Sequence, residues 1–275
     1  ALGIVLLPMA IILIQNDTGS ALVFLSFFLV LYREGLPGYI LVSAVWLGIL
    51  AIFRIISEAT GISSFYGYGI LLGLGSIIVF FVRKDRGIAM LVTTIAVISS
   101  LFYTIVGTFY SKILMQYQRD RIELVLGLKE DDRGMGFNLK QSKIAIGAGE
   151  MWGRGYLKGT QTKMGFVPEQ HTDFIFDAIG EEWGFVGSTL FLLIFCGLLV
   201  RLVIMAERQS TVFGRVLGYS LASVLFFHMS INIGMTVGLV PTIGIPLPFI
   251  SAGGSSLWAF TLFLFTFLRV DQVRK

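Results

Sequence analysis

Residues 88–111, IAMLVTTIAVISSLFYTIVGTFYS, contain no charged side chain, and this stretch decides the class of fold. An α-helix needs about 20 largely apolar residues to cross the hydrocarbon core of a bilayer. Seven further segments have a similar character: 1–14, 19–32, 36–57, 67–82, 174–205, 213–239 and 254–269. We therefore predict an all-α fold, a polytopic membrane bundle of about eight transmembrane helices that forms a single integral-membrane domain over residues 1–275.

The composition agrees with lipid as the main solvent of the chain. Of its 275 residues 55% are hydrophobic and 14% are charged, and the mean hydropathy is +0.83. A soluble domain of this length could not hide so much apolar surface. The net charge of +4 suits anionic lipid or phosphate-bearing ligands, and it is too weak and dispersed to predict a nucleic-acid partner. The single cysteine, Cys196, allows no internal disulfide.

The basic residues of the short connections predict an orientation. They fall on one side of the bundle, which is then the cytoplasmic side: Arg33, Arg83, Lys84, Arg86, Arg208, Arg215, Arg269, Arg274 and Lys275. Both ends of the chain are predicted to lie in the cytoplasm. The extracytoplasmic side receives one large loop, residues 112–173. A loop of this size is well beyond ordinary connection lengths and is expected to be functional.

The large loop carries five cations that suit a phosphate-bearing ligand: Lys140, Lys143, Arg154, Lys158 and Lys163. Lys and Arg are the usual groups that hold a pyrophosphate. Ordinary solvation is the competing interpretation, and the sequence does not separate the two. Closely spaced glycines in residues 153–160 lack the lysine of a Walker loop, so they indicate a flexible turn rather than a nucleotide site.

Asp173 is the candidate catalytic residue. It stands two residues after His171 and directly before the apolar segment 174–205. One interpretation is a helix cap. The other is a general base at the edge of a water-poor cavity, where desolvation brings its pKa into a useful range. His171 and Glu169 are assigned to substrate binding, and no metal ligand is predicted, because two carboxylates and one histidine are not a metal signature.

Residues 241–256, PTIGIPLPFISAGGSS, form the second unusual segment on the outer side. Its prolines forbid a regular helix, and irregular backbone at membrane depth is tolerated where it lines a cavity. The segment is therefore a candidate for the far wall of the site, with Ser251 as a substrate contact. Asn232 and His228 lie one turn apart in an apolar segment and are interpreted as hydrogen-bonding between helices.

Several long motifs in order resemble the SEDS family (shape, elongation, division and sporulation). They are QNDTGSALVF at 15–24, QSKIAIGAGEMWGRGYLKGTQ at 141–161, FVPEQHTDFIFDAIGEEWGFVG at 166–187, FGRVLGY at 213–219 and NIGMTVGLVPTIGIPLPFISAGGSS at 232–256. The GTQ of residues 159–161 and the QSKIAIG run are more similar to the RodA branch than to the FtsW branch. The match covers roughly residues 1–33 and 115–272. The chain is expected to lack the N-terminal spans of the family, and residues 58–111 hold an additional pair of helices.

The resemblance implies a peptidoglycan glycosyltransferase that polymerises lipid II into glycan strands for cell-wall elongation and cell shape. It also implies a class B penicillin-binding protein as transpeptidase partner in the cell-elongation complex of the bacterial cytoplasmic (inner) membrane. The family's essential aspartate in its HTDFIF motif falls on Asp173, on the extracytoplasmic face. The Gln-Pro-Asp motif falls on residues 15–17 with Asn16 in place of proline, which assigns Asp17 to the site. Thr160 and Gln161 are assigned to substrate binding, and a divalent cation, Mg²⁺ or Mn²⁺, stays open as a cofactor.

Two other classes of function stay open at this point. A lipid II flippase would use polar residues in the spans as a path, although a transporter is expected to have broken helices and a site near the midplane of the membrane. A non-catalytic scaffold would only recruit the transpeptidase, and Asp173 would then be dispensable. The dense polar chemistry of the loop favours the enzyme.

Overall fold

The computed structural model describes residues 2–15, 17–129, 135–166 and 169–273. Helices make up the regular secondary structure of these residues, which confirms the predicted all-α class. The chain divides into two compact units: unit 1 is Ala1–Leu36 with Asp131–Lys275, and unit 2 is Pro37–Glu130. The prediction of one integral-membrane domain is not tested by this division and stays a prediction. Asn16, Arg274 and Lys275, which entered the sequence predictions, lie outside the described residues.

The helices are numbered in chain order. Unit 1 begins with α1 (Leu2–Ile14), α2 (Thr18–Phe24) and α3 (Phe27–Arg33). Unit 2 contains α4 (Gly38–Ala59), α5 (Ser64–Val82), α6 (Arg86–Thr108) with a π-helical turn at Phe109–Ile113, and α7 (Gln116–Val125). Unit 1 resumes with α8 (Met135–Ala148), α9 (Thr160–Lys163), α10 (Ile175–Glu207), α11 (Val212–Val237) and α12 (Gly254–Gln272).

Among the described residues, five helices are long and apolar enough to cross a membrane: Gly38–Ala59, Ser64–Val82, Arg86–Ile113, Ile175–Glu207 and Val212–Val237. The polytopic membrane bundle is therefore confirmed. The other three predicted segments are helical but do not meet both criteria of length and hydropathy. Segment 19–32 is divided into α2 and α3, because the chain tightens where the N–H of Ser26 bonds the carbonyl oxygen of Val23, three residues back, at 2.9 Å.

The two basic clusters of unit 1 that flank α3 and α11 meet at the same end of this unit. Arg33 pairs with Glu207 at 2.8 Å, and Arg215 pairs with Glu34 at 2.7 Å. The ends of α3 and α10 and the start of α11 are therefore tied together, as the basic pattern predicts. The assignment of this end to the cytoplasm stays a prediction.

The predicted loop 112–173 contains the helices α7, α8 and α9, and the division between the two units falls within it. Leu139 and Ile146 of this loop lie in the helix α8. This helix packs against α10 and α11, with Leu139 and Ala145 buried. The lysine-bearing part of the loop is thus anchored on the membrane helices of unit 1.

The helix α10 is broken at Gly184, whose φ of 64° and ψ of −162° are not helical. A Cβ at this position would collide with the backbone of Gly149 and Gly153. Glycine is the residue that tolerates both this conformation and so close an approach. The chain before α9 therefore lies directly on the helix, and the N–H of Phe185 donates to the carbonyl oxygen of Glu150 at 2.8 Å.

The core of unit 1 lies between α10, α11 and α12. Leu202, Leu221, Leu225 and Phe267 are almost fully buried in it. Phe267 packs against the α11 backbone at Gly218, where a Cβ would overlap its ring. This close packing fixes the helices from which the candidate site is built.

Candidate active site

Asp173 ends a tight turn that precedes α10. The N–H groups of Asp173 and Phe174 donate to the carbonyl oxygen of Glu169 at 3.0 and 3.3 Å, and Glu169 has a positive φ of 52°. The helix begins at Ile175 with Phe174 as its N-cap and no side-chain capping bond. The helix-cap interpretation of Asp173 is therefore wrong: the turn is closed by backbone bonds, which leave the carboxylate available for another role.

The turn is hydrogen-bonded to the proline-rich segment 241–253 through the carbonyl groups of the turn. The N–H of Ala252 donates to the carbonyl oxygen of His171 at 2.7 Å, and the Ser251 hydroxyl donates to that of Thr172 at 2.5 Å. The Ser251 oxygen also accepts from the N–H of Leu247 at 2.7 Å. The structure thus places this segment beside the turn, as the far-wall prediction requires, and uses the Ser251 hydroxyl to join the two.

Asn232, on α11, bonds both to the turn that contains Asp173 and to the proline-rich segment. Its Nδ2 donates to the carbonyl oxygen of Asp173 at 2.9 Å and to that of Ile245 at 2.7 Å. One turn earlier, His228 Nδ1 lies 3.1 Å from the carbonyl oxygen of Pro246. The predicted bonds between helices are therefore wrong for this pair. Both side chains instead bond to backbone that is not helical, because its carbonyl groups have no helical partner.

The Asp173 carboxylate lies against Gly244. A Cβ at Gly244 would sit 3.2 Å from Asp173 Oδ2, and the φ of Gly244 is +78°. Partial burial is the main cause that raises the pKa of Asp173, the charge of Glu169 adds to it, and a hydrogen bond from Thr172 opposes it. A carboxylate that is partly dehydrated in this way has a higher proton affinity, which suits a general base.

Asp17 caps α2, where its Oδ1 accepts from the N–H of Ser20 at 2.9 Å. The hydrogen bond from Ser20 lowers the pKa of Asp17, so this carboxylate is the more acidic of the two candidates. Gly19, two residues on, packs against Ile243 and Ile245, the neighbours of Gly244. The start of α2 therefore lies beside the segment that borders Asp173.

Arg154 and Thr160 form a second cluster on the loop between α8 and α10. Arg154 donates to the carbonyl oxygen of Ala148 at 3.0 Å and to Thr160 Oγ1 at 2.9 Å. The buried Glu181 accepts the N–H groups of Thr160 and Gln161 at 2.7 and 2.9 Å. The predicted substrate contacts Thr160 and Gln161 are thus held in place by Glu181, a residue to which the sequence interpretation gave no such role.

The remaining predicted cations are distributed along the loop. On α8, Lys140 and Lys143 are exposed, and the Lys143 ammonium lies over Gly238, the residue that ends α11. Between them, Ser142 Oγ lies 2.8 Å from Asp177 Oδ1 and 2.7 Å from the carbonyl oxygen of Thr236. This buried contact fixes α8 against α10 and α11. Two further lysines are exposed in and beside α9: Lys158 and Lys163.

The length of α11 predicts the level of the site relative to a membrane. Asn232, which bonds Asp173, is about 30 Å of helix rise from the first residue of α11, and the hydrocarbon core of a bilayer is about as thick. The opposite end of α11 carries the Arg215–Glu34 pair. Asp173 is therefore expected where lipid meets water, at the end of unit 1 away from the basic cluster.

The described residues contain no preformed cluster of side chains that would hold a divalent cation by itself. Among these residues no group of three histidine, cysteine or carboxylate side chains comes together, and a site for Mg²⁺ in a protein usually combines carboxylates with phosphates of the substrate. No chemical step is therefore derived through a metal, and the cofactor question stays open.

The sequence predicts no role for Gly244 or Glu181, and it predicts a helix rather than non-helical backbone as the partner of Asn232. The signal for Asn232 was present, because a buried amide in an apolar helix needs partners. Glu181 had no such signal, since an acidic residue near the start of a helix is also common on surfaces. The role of Gly244 as a neighbour of the Asp173 carboxylate becomes visible only in the folded protein.

The membrane-length helices define a multi-pass membrane protein, and the partly dehydrated carboxylate of Asp173 is its candidate site. Residues 62–275 match the family model FTSW_RODA_SPOVE, described as cell cycle protein, and the chain belongs to this family. This is the family that the sequence motifs resemble under the name SEDS.

Relatives agree with the family assignment. The chain is 39% identical over 191 residues to the peptidoglycan glycosyltransferase MrdB of Escherichia coli (strain K12), covering 70% of this chain and 50% of that protein. It is 31% identical over 276 residues to the peptidoglycan glycosyltransferase RodA of Treponema pallidum (strain Nichols), covering 93% of this chain and 63% of that protein. The chain thus spans between about half and two thirds of the length of these relatives.

One solved structure is also similar, a chain from a study of polymerization and crosslinking by a peptidoglycan synthase complex. The identity is 26%, the TM-score is 0.47, and the match covers 80% of this chain and 67% of the other. A TM-score at this level does not establish a shared arrangement of helices.

Proposed function

We propose that the protein is a membrane-embedded peptidoglycan glycosyltransferase that joins lipid II units into glycan strands on the extracytoplasmic face of the bacterial inner membrane. The names of the relatives MrdB and RodA support the activity. The observation that carries the proposal is the position of Asp173, a partly buried carboxylate with a raised pKa at the end of the helices where a lipid-linked sugar would arrive.

Asp173 acts as the general base. It takes the proton from a sugar hydroxyl of the acceptor as the oxygen attacks the anomeric carbon of the donor. The new carbon–oxygen bond forms as the bond to the polyprenyl pyrophosphate breaks, and the pyrophosphate leaves with its electron pair. One displacement of this kind inverts the anomeric centre, because no second carboxylate is needed as a nucleophile.

The leaving pyrophosphate needs countercharge rather than a proton. Arg154 is the cation whose geometry is best defined, since Ala148 and Thr160 fix its guanidinium group. Lys143, on α8 beside the Gly238 cap of α11, is the second candidate. Lys140, Lys158 and Lys163 are exposed and complete the positive lining of the loop.

The decisive experiment compares lipid II polymerisation by the full-length protein and its Asp173→Asn variant. Loss of the base should lower the rate by about 10²–10⁴-fold. The unfolding temperature should not fall, because asparagine removes a charge from a site that disfavours it. A matched control is Asp120→Asn, which changes a partly exposed carboxylate paired with Lys129 in unit 2. An active Asp173→Asn protein would refute the assignment.

Lipid transport is the second candidate, because α10 is broken at Gly184 and broken helices are typical of transporters. The site near Asp173, however, lies at a boundary of the membrane rather than at its midplane. Purified protein in vesicles separates the two functions: movement of lipid II without polymer would favour transport. If the protein is instead a scaffold, Asp173→Asn should leave polymerisation by the assembled complex unchanged.

The proposed partners are a class B penicillin-binding protein and the cell-elongation complex. The polymerisation assay should therefore be run with and without the transpeptidase. We expect the partner to increase the rate of the wild type and to leave Asp173→Asn inactive, since the partner does not replace the base.

A further inference from the structure

Residues Glu150–Lys158, named here the aromatic loop, expose four large apolar side chains, of which Met151 is 55% exposed. Trp152 is 80%, Tyr156 69% and Leu157 61% exposed. Side chains of this kind usually turn inward on a flexible loop, because burial removes apolar surface from water. Their outward position needs a structural cause.

The cause is a rigid attachment of the aromatic loop to α10. The N–H of Arg154 donates to the carbonyl oxygen of Glu181 at 3.0 Å, and the N–H of Val186 donates to that of Met151 at 3.1 Å. Leu157 is held at a positive φ of 58°, a conformation that persists in a residue with a side chain only where the surroundings impose it. These bonds hold the backbone of the loop against α10, and they thereby fix the direction in which its side chains leave the main chain.

The attachment also fixes the height of the aromatic loop relative to the membrane. Residues 185–207, the part of α10 after the break, rise about 35 Å, slightly more than the roughly 30 Å of a hydrocarbon core. The bond from Val186 to Met151 places the loop at the end of this span. The α10 surface at the same level is apolar too, with Trp183 55% and Phe185 63% exposed.

We propose that the aromatic loop is a lipid anchor, in which Trp152, Tyr156 and Leu157 insert between the headgroups and the hydrocarbon of the leaflet that the Asp173 site faces. Tryptophan and tyrosine are enriched at this depth, because their rings combine an apolar body with a polar group. Arg154 and Lys158 lie in the same loop and are exposed, and basic side chains at this depth suit the phosphates of lipid headgroups. The occupant of this surface is therefore the phospholipid boundary rather than a protein.

The anchor has a consequence for the neighbouring site. Glu181 joins the aromatic loop to α9 through its bonds to Thr160 and Gln161. Lipid contact at Trp152 therefore sets the depth in the membrane at which the aromatic loop and α9 meet a lipid-linked ligand. This inference does not depend on the proposed transferase activity.

The test uses the fluorescence of Trp152 in the full-length protein reconstituted in phospholipid vesicles. The Trp152 signal is the difference between the wild type and Trp152→Phe, a substitution that keeps an aromatic ring. We expect lipids brominated near the headgroup to remove most of this signal, and lipids brominated near the chain end to remove much less. Trp46, inside the spanning helix α4, provides the depth control through Trp46→Phe and should respond more to the deeper bromines.

Two results would overturn the proposal. Quenching of the Trp152 signal by aqueous acrylamide, without an effect of brominated lipid, would place the aromatic loop in water. Protection from both quenchers would show that protein covers the loop, either a partner or a second copy of the chain. If protection from both quenchers is seen only in protein assembled with its transpeptidase, the transpeptidase is the protein that covers the aromatic loop.

Discussion

Unit 1 and unit 2 are both built from membrane-length helices, but the most buried of these helices belongs to unit 1. In unit 1 the buried share of the most apolar stretch is 44% for α11 and 22% for α10, whereas in unit 2 it is 17% for α4, 6% for α5 and 11% for α6. The helices of unit 2 therefore present most of their surface to lipid. Those of unit 1 form a protein core around which irregular chain is held.

The buried polar groups of the two units differ in the same way. In unit 1, Asn232 bonds the carbonyl groups of two non-helical segments. In unit 2, the buried Arg54 pairs with Glu58 on its own helix at 2.6 Å and lies over the ring of Tyr103 on α6, 5.0 Å from its centroid. Polar burial thus shapes a site in unit 1 and joins helices in unit 2, so we expect chemistry and stability to separate between the units.

The largest effect on activity is expected for Asn232→Leu in unit 1. The substitution leaves the carbonyl groups of Asp173 and Ile245 without their donor and frees the turn to shift. A misplacement of about 1 Å can cost about 10²-fold in rate, and we expect a loss of this size in lipid II polymerisation.

The isosteric variant Asn232→Asp tests the cause of that loss. It keeps the shape of the side chain but has no amide hydrogen to donate, so it should be as impaired as Asn232→Leu. Gln272→Leu, at an exposed amide near the end of α12, is the matched control and should retain activity. An active Asn232→Asp protein would contradict a role for its hydrogen bonds.

A smaller effect, on stability alone, is expected for Arg54→Met in unit 2. Removing one partner of a buried ion pair costs several kcal/mol, but the Glu58 side chain keeps 29% exposure. We therefore expect the free energy of unfolding to fall by about 2 kcal/mol, with polymerisation unchanged. Unfolding in detergent and the polymerisation assay measure the two quantities, and Arg54→Met with Glu58→Gln should recover part of the loss. A strong loss of polymerisation activity in Arg54→Met would contradict the proposed separation of chemistry in unit 1 from stability in unit 2.

The smallest effect is expected for Glu169→Gln. After burial, the charge of Glu169 is the second cause that raises the pKa of Asp173, and the substitution removes it. The base must be ionised to act, so activity falls as the pH drops through its pKa. We expect the acidic limb of the kcat/KM profile to move to lower pH.

The stability of the same variant should change in the matching direction. A carboxyl group with a raised pKa in the folded state destabilises the fold as the pH rises and it ionises. Glu169→Gln should reduce this loss. Asp120→Asn is the control for both measurements, because its carboxylate belongs to unit 2. An unmoved acidic limb would show that Glu169 does not act on Asp173.

The sequence was sufficient for the class of fold and for the motif that contains Asp173. Long uncharged stretches such as 88–111 have no stable alternative to a membrane helix, because lipid leaves backbone groups no other partner. The motif around residues 169–176 likewise pointed to the family, which the match over residues 62–275 confirms. Both conclusions depend on local patterns, which a sequence carries directly.

The tertiary structure alone decided what each polar side chain does. The break at Gly184 follows from the close approach of Gly149 and Gly153, which are distant in sequence. The bonds from Asn232 to the carbonyl groups of Asp173 and Ile245 likewise join positions far apart along the chain. Composition shows that such a group must find partners, but only the packing of the helices determines which partners lie within reach.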